Sequence, residues 1–451
     1  MARRLFGTDG VRGVAGEFLT AELTLALARA ATTRAGGRGG GEGTEGPRVL
    51  VIRDTRASGE MLEAAVAAGV AAAGGTALLG GVLPTPAAPL LIRRYGFDLG
   101  VVLSASHNPY RDNGIKFFGA DGDKLSDAVE EEIEALLEQT APPVEPGDVT
   151  RLHGTLEDYL RELHTRFAAL DLSGRRILLD CAHGATHRAA PEIFRRLGAH
   201  VDVVADAPDG RNINDGCGST HVESLAAAVV AGRHDVGFAF DGDGDRVLAV
   251  DRDGAVVDGD ELIALAALHL REQGKLVGNG VAVTVMTNYG FHTAMQAAGI
   301  EVATTAVGDR YVLETLRERG WSLGGEQSGH VVELGFAPSG DGIASALLTL
   351  EALAGGDLAE RHAMEKLPQR LVNVRLPNRE ALERAAGDAE MQAATEREHE
   401  QLAGRGRVLV RASGTEPLLR VMVEAPTDTE ADEVCGRLVA IAEAAASETA
   451  R

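Results

Sequence analysis

The sequence predicts an α/β protein made of several layered units, with a smaller α+β module at its end. Along most of the chain, short apolar runs of strand length alternate with helical patterns. This alternation is the βαβ rhythm of layered domains with substantially parallel sheets. The last part differs, because its strands flank a long charged segment of helical character. A length of 451 residues corresponds to roughly three domains of about 150 residues.

The first α/β stretch is expected to have strands at Val49–Ile52, Ala77–Leu79 and Leu99–Leu103, and a helix at Glu60–Ala73. The uncharged run Ala64–Ile92 is long enough to cross a bilayer. However, it holds five glycines and three prolines and changes its period midway. A helix, a turn, a strand and a loop in an α/β core explain this run better than a membrane span.

The alternation continues to the end of the predicted α/β region. Strands are expected at Arg176–Asp180, Val201–Val204, Val236–Phe240, Val281–Met286 and Val302–Thr304, and helices at Ala189–Leu197, Ser224–Ala231, Phe291–Ala298 and Tyr311–Arg319. In the terminal module, strands are expected at Leu371–Leu376, Val408–Val410 and Leu418–Val423, with one charged helix over Arg379–Leu402 and a last helix over Thr429–Ala446.

Three segments are expected to separate these units, and a fourth is expected to form a surface loop. The Pro-rich stretch Ala141–Pro146, the turn Asp251–Gly254 and Pro368 mark predicted boundaries. The Gly-rich run Gly36–Gly46 is typical of a flexible surface loop. It contains a GxGxxG match, but the match precedes a strand instead of following one, so it does not indicate a dinucleotide site.

Composition excludes several classes of partner. With 44 basic and 67 acidic residues, the net charge is −23, which argues against nucleic acid or an anionic membrane as partner. A small anionic substrate in a locally basic pocket stays open, as does a homo-oligomer. The three cysteines are scattered and form no CxxC pair, so a reducing cytoplasm is expected. The basic first residues lack a following apolar segment, so no secretory signal is expected.

The first motif, SASHNP, directly follows the strand at Leu99–Leu103, a position at which α/β folds place ligands. Its serines, Ser104 and Ser106, need a base or a cation nearby to act as nucleophiles. His107 and Lys116 are the candidates for that role. A plain turn in which a serine caps the next element explains the same residues.

The second motif, DGDGDR, places Asp241, Asp243 and Asp245 at alternate positions after a strand. Three such carboxylates can turn onto one hard cation, and Mg²⁺ prefers oxygen ligands and keeps positions open for phosphate oxygens. A solvated acidic turn is the alternative, but crowded carboxylates repel one another unless a cation such as Arg246 compensates. The motif is not an EF-hand, because that pattern would place Arg246 at its sixth position and Arg252 at its twelfth.

The third motif, GEQSGH, offers the Glu326 carboxylate, the Ser328 hydroxyl and the His330 imidazole on a glycine-flanked turn. These groups suit sugar hydroxyls, and a buried turn with satisfied polar groups is the equal alternative.

The fourth motif, RASGTEP, combines a guanidinium, two hydroxyls and glycine-exposed N–H groups, which together make a phosphate cradle. Its residues are Arg411, Ser413, Gly414 and Thr415, with Arg420 following. The spacing is not that of a nucleotide P-loop, and a capped surface turn is the alternative. Near the N-terminus, Arg12 in the turn Gly7–Gly13 is a further candidate anion ligand or part of a simple hairpin turn.

Together the four loops indicate phosphoryl transfer on a phosphosugar, with no sign of a nucleotide, flavin or nicotinamide site. Their order, with FGTDGVRG at the start, resembles that of the α-D-phosphohexomutase superfamily over essentially the whole chain. GEQ before SGH, and SGTEP, are most similar to the branch that acts on glucosamine phosphates. The resemblance implies three similar mixed-sheet α/β domains and a smaller C-terminal α+β domain around a central active-site cleft. Their expected limits are 1–150, 151–255, 256–368 and 369–451.

The resemblance also implies a mechanism and a set of roles. Ser106 would carry a phosphate and pass it to glucosamine 6-phosphate, giving a sugar bisphosphate that returns its other phosphate and leaves as glucosamine 1-phosphate. Mg²⁺ would be held by Asp241, Asp243, Asp245 and an oxygen of the Ser106 phosphate. His107 and Lys116 would be acid/base or orienting groups, and Arg12 and Arg246 would contact the transferred phosphate. The sugar would be bound by Glu326, Ser328 and His330, with Asp309 and Arg310 in a third-domain recognition loop. The non-reacting phosphate would be held by Arg411, Ser413, Gly414, Thr415 and Arg420.

Three other functions compete with this hypothesis. A phosphomannomutase or phosphoglucomutase of the same superfamily would use the same loops on another sugar. In a Mg²⁺-dependent phosphatase, water would take the serine phosphate, which a cleft that excludes water opposes. A sugar-phosphate sensor would have lost turnover, although every expected catalytic position is intact.

Overall fold

Residues 5–7, 9–36, 46–139, 144–413 and 416–447 are described by the computed structural model. The chain divides into two compact units. The first combines Met1–Met286 with Glu301–Arg361, and the second combines Thr287–Ile300 with His362–Arg451. In the described residues, the first unit carries three mixed sheets and the second carries one sheet of three strands.

The first sheet has the strand order β1-β5-β4-β2-β3-β6. Strands β2, β3, β4 and β6 run parallel, whereas β5 is antiparallel to β4 and to β1. Its elements are β1 (Val11–Val14), α1 (Ala21–Gly36), β2 (Arg48–Arg53), α2 (Gly59–Ala72), β3 (Thr76–Val82), α3 (Ala87–Tyr95), β4 (Leu99–Leu103), β5 (Asp112–Gly119), α4 (Asp127–Leu137) and β6 (Val149–Arg151).

The second sheet has the order β11-β10-β9-β7-β8, with β7 parallel to β8 and β9, and β10 antiparallel to β9 and β11. Its elements are α5 (Thr155–Arg166), β7 (Arg176–Asp180), a 3₁₀ turn (Ala185–His187), α6 (Ala189–Arg196), β8 (His200–Val204), α7 (Glu223–Gly232), β9 (Val236–Phe240), β10 (Val247–Asp251) and β11 (Val256–Val257).

The third sheet has the order β13-β12-β14-β15, with β12 parallel to β13 and β14, and β15 antiparallel to β14. Its segment of the chain holds α8 (Gly259–Glu272), a 3₁₀ turn (Val277–Asn279), β12 (Gly280–Thr284), α9 (Tyr289–Ala297), β13 (Glu301–Thr305), α10 (Asp309–Arg319), β14 (Leu323–Gly325), β15 (Val331–Glu333), α11 (Gly342–Leu353) and a 3₁₀ turn (Leu358–Glu360). Helix α9 falls in the second unit.

One four-strand pattern recurs in all three sheets: β5-β4-β2-β3, β10-β9-β7-β8 and β15-β14-β12-β13. Each pattern has three parallel strands and one antiparallel strand at its side. Strands β4 and β9 are buried along their whole length, as their continuous apolar sequences require in a sheet covered on both faces. The predicted series of similar mixed-sheet α/β units is therefore confirmed.

Each of the first three motif loops joins the antiparallel strand of its four-strand pattern to the parallel strand that pairs with it. SASHNP joins β4 to β5, DGDGDR joins β9 to β10, and GEQSGH joins β14 to β15. Because both ends of such a loop are fixed by paired strands, the polar residues on it are held more firmly than on a free loop.

The second unit is the predicted α+β module. Its sheet has the order β16-β18-β17 and is antiparallel throughout. Besides α9 it contains β16 (Gln369–Arg375), α12 (Arg379–Gly387), α13 (Ala389–Leu402), β17 (Arg407–Ala412), β18 (Leu418–Glu424) and α14 (Asp428–Ser447). The RASGTEP loop joins β17 to β18, so the fourth motif also lies between antiparallel strands.

Two local expectations were wrong. The single helix expected over Arg379–Leu402 is two helices, because Asp388 has an extended backbone and its side chain accepts a hydrogen bond from the Met391 amide as the N-cap of α13. The uncharged run Ala64–Ile92 ends in α3, where a loop was expected. No helix in the described ranges has both the length and the apolar character that a bilayer crossing needs.

The expected domain limits stay predictions. Strand β6 crosses the limit at residue 150, and the second unit takes Thr287–Ile300 from the third expected segment. Most of the Gly-rich run Gly36–Gly46 and the first three residues of Ala141–Pro146 lie outside the described residues.

A buried carboxyl group supports α11. Asp341 caps this helix by accepting from the Ala344 amide at 2.9 Å, and the hydroxyl of Tyr159 on α5 donates to it at 2.9 Å. Both side chains are buried. Burial raises the pKa of Asp341 to about 6, so the folded state keeps this proton to a higher pH than the unfolded chain does.

We expect Asp341→Asn to stabilise the protein more at high pH than at low pH. The raised pKa of Asp341 means that the wild type loses stability as pH rises from about 4 to about 6. Asparagine can still cap the helix and does not ionise. In urea unfolding, the gain of the variant over the wild type should be about 2 kcal/mol larger at pH 8 than at pH 4.5. An equal difference at both pH values would contradict this account.

Candidate functional site

Ser106 lies in the loop between β4 and β5. Its side chain is buried and its φ is +52°, a left-handed conformation that a non-glycine residue keeps only where surrounding contacts hold it. Its Oγ donates to Oδ2 of Asp241 at 2.6 Å and lies 3.3 Å from Nδ1 of His107. The structure therefore brings the predicted nucleophile against the predicted metal loop.

Ser104 has a different environment. Its Oγ donates to Oδ2 of Asp54 at 2.6 Å and accepts from the Ser106 amide at 2.9 Å. This hydroxyl therefore links Asp54, directly after β2, to the backbone of the SASHNP loop. Ser104 thus supports the conformation of Ser106.

Arg56 supports the loop between β4 and β5, a role that was not predicted from the sequence. Its side chain is completely buried and its Nε binds Oδ2 of Asp54 at 2.8 Å. Its two terminal nitrogens donate to the backbone carbonyls of Ser106, Asn108, Pro109 and Asp112. The signal that could have found it is the Asp-Thr-Arg sequence directly after β2, since a charged pair at the end of a buried strand needs partners.

Asp241, Asp243 and Asp245 form a compact cluster in the second motif. All three are buried, and ligand oxygens from the three lie within 4.8 Å of one another. Oδ1 of Asp243 and Oδ1 of Asp245 are buried without a hydrogen-bond partner in the part of the chain that the structure describes. Three buried carboxylates, two of which have an oxygen without a hydrogen-bond partner, fit a hard divalent cation.

The electrostatics of the cluster agree with that fit. Burial, and then the charges of Asp245 and Asp243, raise the pKa of Asp241 well above its usual value. Burial also acts to raise the pKa of Asp245, but the hydrogen bond from His330 and the nearby positive charges outweigh it, so this pKa is lowered. A cation bound by all three would relieve the repulsion that holds a proton near Asp241.

Two glycines let the metal loop approach its neighbours. A Cβ on Gly242 would lie 2.6 Å from the Ser106 carbonyl oxygen, so only glycine lets the loop come this close to the nucleophile. Gly244 has a φ of +75°, and a Cβ there would lie 2.5 Å from the Thr186 side chain. The glycines of DGDGDR are therefore steric requirements of the site.

Acidic and basic side chains alternate in a series of contacts that begins at Asp243 and ends at Asp245 of the metal loop. Lys116 binds Oδ2 of Asp243 at 2.8 Å and Oδ2 of Asp9 at 2.9 Å. Lys124 binds Asp9 and Asp309 at 2.5 Å each. His330 lies 3.9 Å from Oδ2 of Asp309 and 3.6 Å from Oδ2 of Asp245. We call this set the charge ring; its members are Asp243, Lys116, Asp9, Lys124, Asp309, His330 and Asp245.

The carboxylates of the ring raise the pKa of its basic members. Burial lowers the pKa of Lys116, but the charges of Asp243 and Asp9 outweigh burial and raise it. The pKa of His330 is likewise raised by its bond to Asp245 despite burial. Lys116 is therefore a cation at neutral pH. Asp9 and Lys124 were not singled out in the sequence, because nothing in their local pattern shows that distant residues meet there.

Arg12, Arg246 and His107, which were also predicted to act at the transferred phosphate, lie beside members of the charge ring and the metal loop. Arg12 forms an ion pair with Asp9, and its Nε is buried without a hydrogen-bond partner among the described residues. Nε of Arg246 is 3.7 Å from Oδ1 of Asp245. Burial, then the charges of Arg246 and Arg12, lower the pKa of His107. Its imidazole is therefore neutral at pH 7.

The third motif is a hairpin loop between β14 and β15. Glu326 is buried and its Oε1 accepts from the Gly308 amide at 3.0 Å, while Ser328 is exposed. Nε2 of His330 accepts from the Gly340 amide at 3.1 Å. The predicted sugar residues thus share one turn, and the structure adds that the backbone before α10 holds Glu326 in place.

Asp309 and Arg310, predicted as a recognition loop, are the first residues of α10. Asp309 belongs to the charge ring. The Arg310 guanidinium forms ion pairs with Asp127 and Glu130 of α4. In this structure, both side chains contact the segment before and within α4.

The fourth motif lies in the second unit. Arg411 and Arg420 stand opposite each other on β17 and β18, and burial followed by the charge of Arg420 lowers the pKa of Arg411. Nε of Arg420 is buried without a hydrogen-bond partner in the described ranges. Ser413 is buried at the end of β17, whereas Gly414 and Thr415 lie outside the described residues. Two adjacent guanidinium groups fit an anion.

The chain belongs to the phosphoglucomutase/phosphomannomutase family. Models of its three alpha/beta/alpha domains match residues 3–143, 157–254 and 258–371, and the model of its C-terminal domain matches residues 371–441. The resemblance predicted from the four motifs is therefore confirmed.

Among its relatives are proteins named phosphoglucosamine mutase. That of Moorella thermoacetica is 50% identical over 448 residues, covering 97% of this chain and 99% of the relative. That of Mycolicibacterium paratuberculosis is 50% identical over 449 residues, covering 98% and 99%. The enzyme of Mycobacterium tuberculosis H37Rv is 49% identical over 459 residues, covering 99% and 100%.

Solved structures share the fold. A phosphoglucomutase/phosphomannomutase family protein from Burkholderia thailandensis superposes with a TM-score of 0.82 at 23% identity, covering 99% of this chain and 98% of the other. N-acetylphosphoglucosamine mutase from Aspergillus fumigatus, in complex with GlcNAc-6P and magnesium, has a TM-score of 0.66 at 18% identity, covering 98% and 96%.

We expect Arg56→Met to destabilise the first unit by about 3–5 kcal/mol, because it leaves a buried Asp54 charge and several carbonyls without partners. Arg56→Lys should be milder, since it keeps the charge but cannot reach all the carbonyls. Urea unfolding measures both. Arg211→Met, at an exposed arginine, is the control. Equal stability of the two methionine variants would refute the role of Arg56.

We expect Mg²⁺ to raise the thermal unfolding midpoint, by a stabilisation of about 2.7 kcal/mol when the ion is at 100 times its Kd. Asp243→Asn should weaken this effect, because it removes a carboxylate of the cluster. Asp253→Asn, at an exposed aspartate, should leave it unchanged. Stabilisation that survives unchanged in Asp243→Asn would place the bound ion elsewhere.

Proposed function

We propose that this chain is a phosphoglucosamine mutase, which interconverts glucosamine 6-phosphate and glucosamine 1-phosphate through a phosphoserine and a bisphosphorylated sugar. The single observation that carries the proposal is the contact between Ser106 and the carboxylate cluster, 2.6 Å from Oγ to Asp241. Relatives named phosphoglucosamine mutase, about half identical over nearly the whole chain, support the choice of sugar. The product feeds UDP-N-acetylglucosamine and cell-envelope synthesis.

In the first half-reaction, a hydroxyl oxygen of the sugar phosphate attacks the phosphorus of phospho-Ser106. The bond from phosphorus to Ser106 Oγ breaks, and the phosphoryl group moves to the sugar. The sugar hydroxyl loses a proton and Ser106 Oγ gains one. The neutral imidazole of His107, 3.3 Å from Oγ, can accept and return this proton.

Positively charged side chains would stabilise the phosphoryl group during its transfer, because this reaction depends on positioning and on stabilising negative charge at the phosphate oxygens. Lys116 keeps its proton and serves as a fixed cation. Arg12 and Arg246 supply guanidinium groups on the same side of the site. Mg²⁺ held by Asp241, Asp243, Asp245 and a phosphoserine oxygen would neutralise further charge on the phosphoryl group.

In the second half-reaction, the bisphosphorylated sugar presents its other phosphate to Ser106, and the same atoms move in reverse. Glu326 and Ser328 would bind sugar hydroxyls in both orientations, beside His330, Asp309 and Arg310. Arg411, Ser413, Gly414, Thr415 and Arg420 would hold the phosphate that is not reacting. A sugar 1,6-bisphosphate therefore acts as intermediate and as activator, and it phosphorylates Ser106 when the serine is free.

The same proposal covers compartment and partners. The partner is a small phosphosugar. A cytoplasmic location, predicted from the sequence, is supported by Cys181, Cys217 and Cys435, which are free and buried. The division into four domains with the predicted limits is supported by the four matched family models.

The test compares three sugars in one assay. Phosphorylated protein with Mg²⁺ and a trace of sugar 1,6-bisphosphate is given the 6-phosphates of glucosamine, glucose and mannose. We expect the highest kcat/KM for glucosamine 6-phosphate. Higher values for glucose or mannose would make the chain a phosphoglucomutase or phosphomannomutase and would keep the mechanism.

We expect Ser106→Ala to lower mutase activity by at least about 1000-fold, because it removes the atom that carries the phosphate. Ser104→Ala should retain a measurable rate, since it alters loop support only. Release of free phosphate without isomerisation would instead indicate a phosphatase. Full activity in Ser106→Ala would sink the phosphoserine mechanism.

A further inference from the structure

We propose that Lys124 is a positioning residue, which couples the sugar-recognition turn to the phosphoryl-transfer centre. The inference rests on the proposed function for its kinetic effects. Lys124 joins two carboxylates from sequence-distant loops, Asp9 near the N-terminus and Asp309 at the start of α10. No motif of the sequence includes it.

The ammonium group of Lys124 is almost enclosed. Its side chain is 16% exposed, and those of Asp9 and Asp309 are 19% and 14% exposed. Both carboxylates lie 2.5 Å from Nζ. With three donors on one point charge, lysine can bridge two carboxylates that would otherwise repel each other in a poorly solvated place.

One side of this bridge reaches the transfer centre. Oδ1 of Asp9 binds Lys124, which leaves Oδ2 to bind Lys116 at 2.9 Å. Lys116 in turn binds Asp243 of the metal loop. Oδ2 of Asp9 is also paired with Arg12, so Lys124 and Arg12 together orient the carboxylate that contacts Lys116.

The other side reaches the sugar turn. Asp309 follows Gly308, whose amide donates to Oε1 of Glu326 at 3.0 Å. Gly308 has a φ of +131°, so neighbouring contacts must define this peptide. Because Lys124 anchors the adjacent Asp309 side chain, it holds the Gly308 amide, and through it the Glu326 carboxylate, in place.

Flanking ion pairs keep these two segments together. Arg317 of α10 binds Asp123 at 2.6 Å, and Arg310 binds Asp127 and Glu130 of α4. The Arg317–Asp123 and Arg310–Asp127 pairs are more exposed than the Lys124 bridge, and exposed pairs contribute little singly. The Arg310–Glu130 pair is as shielded as the bridge. Lys124 and Arg310 are therefore both shielded cations at the contact between residues 123–130 and α10, and Lys124 is the one that also binds Asp9.

The principal variant is Lys124→Met, with Lys275→Met at an exposed lysine as matched control. We expect Lys124→Met to raise KM for the sugar phosphate about tenfold and to lower kcat as well, because Asp9 and Asp309 both lose their ion pair with Lys124. The ratio of kcat/KM between glucosamine and glucose phosphates should shrink. Lys275→Met should match the wild type, and Lys124→Arg should recover part of the loss, since a guanidinium can bridge two carboxylates.

A charge-balanced variant separates positioning from folding. Lys124→Met with Asp309→Asn removes one cation and one anion, so the net charge of the pair is restored. If Lys124 positions Glu326, KM stays raised in this double variant. If KM returns to the wild-type value, Lys124 only balances charge and the proposal is wrong. Should Lys124→Met fail to fold, Lys124→Gln serves, and an unchanged KM there would overturn the proposal.

Hydrogen exchange gives a readout that does not need turnover. We expect the amides around Gly308 to exchange about tenfold faster in Lys124→Met than in Lys275→Met, with no change around α7. Equal exchange in both variants overturns the proposal. If the wild type converts none of the three sugars, the proposed function fails, while the exchange at Gly308 still decides the role of Lys124.

Discussion

The mutual repulsion of Asp241, Asp243 and Asp245 is the constraint on which the rest of the first unit depends. Three carboxylates buried within 4.8 Å of one another cannot all be charged without positive charge beside them. The charge ring meets part of this need, because Lys116 binds Asp243 and His330 lies 3.6 Å from Oδ2 of Asp245, whereas Asp241 is not in the ring. The ring also ties residues near the N-terminus to the metal loop and to the start of α10. A cation at the open oxygens of the cluster would complete the compensation.

The architecture explains how such a cluster can be assembled. The same four-strand pattern occurs three times, and each copy presents its motif loop where a parallel strand is followed by an antiparallel neighbour. Paired strands on both sides fix each loop at its ends. Additional buried groups then fix its middle, as Arg56 does for the serine loop. One repeated scaffold therefore presents three loops of different composition, SASHNP, DGDGDR and GEQSGH, each fixed at both ends by paired strands.

The protein as a whole is negatively charged, whereas several of its predicted site residues are positively charged. A net charge of −23 repels anionic substrates at long range. Arg12, Lys116 and Arg246 stand at the serine and metal loops, and Arg411 and Arg420 stand together in the second unit. Screening in salt limits the long-range repulsion to about 10 Å, so nearby cations can outweigh it. The basic pocket expected from the sequence stays a prediction.

Local pattern alone was enough for strands such as β2, β4 and β9, for helices such as α2, α6 and α14, for the family and for the four motif loops, whereas it did not predict β1, β5, β6, β10, β11, β14 or β15. Each depends on periodicity or on a short run of chemically distinctive residues, which neighbours in sequence determine. The break at Asp388 was missed because its capping bond competes with a continuous helical pattern. Only the tertiary structure decided that Arg56 supports the serine loop, that Ser104 supports Ser106, and that Asp9 and Lys124 join the charge ring. Their partners lie about 50 to 185 positions away in sequence, and long-range charge pairing leaves no periodic trace that a single sequence can show.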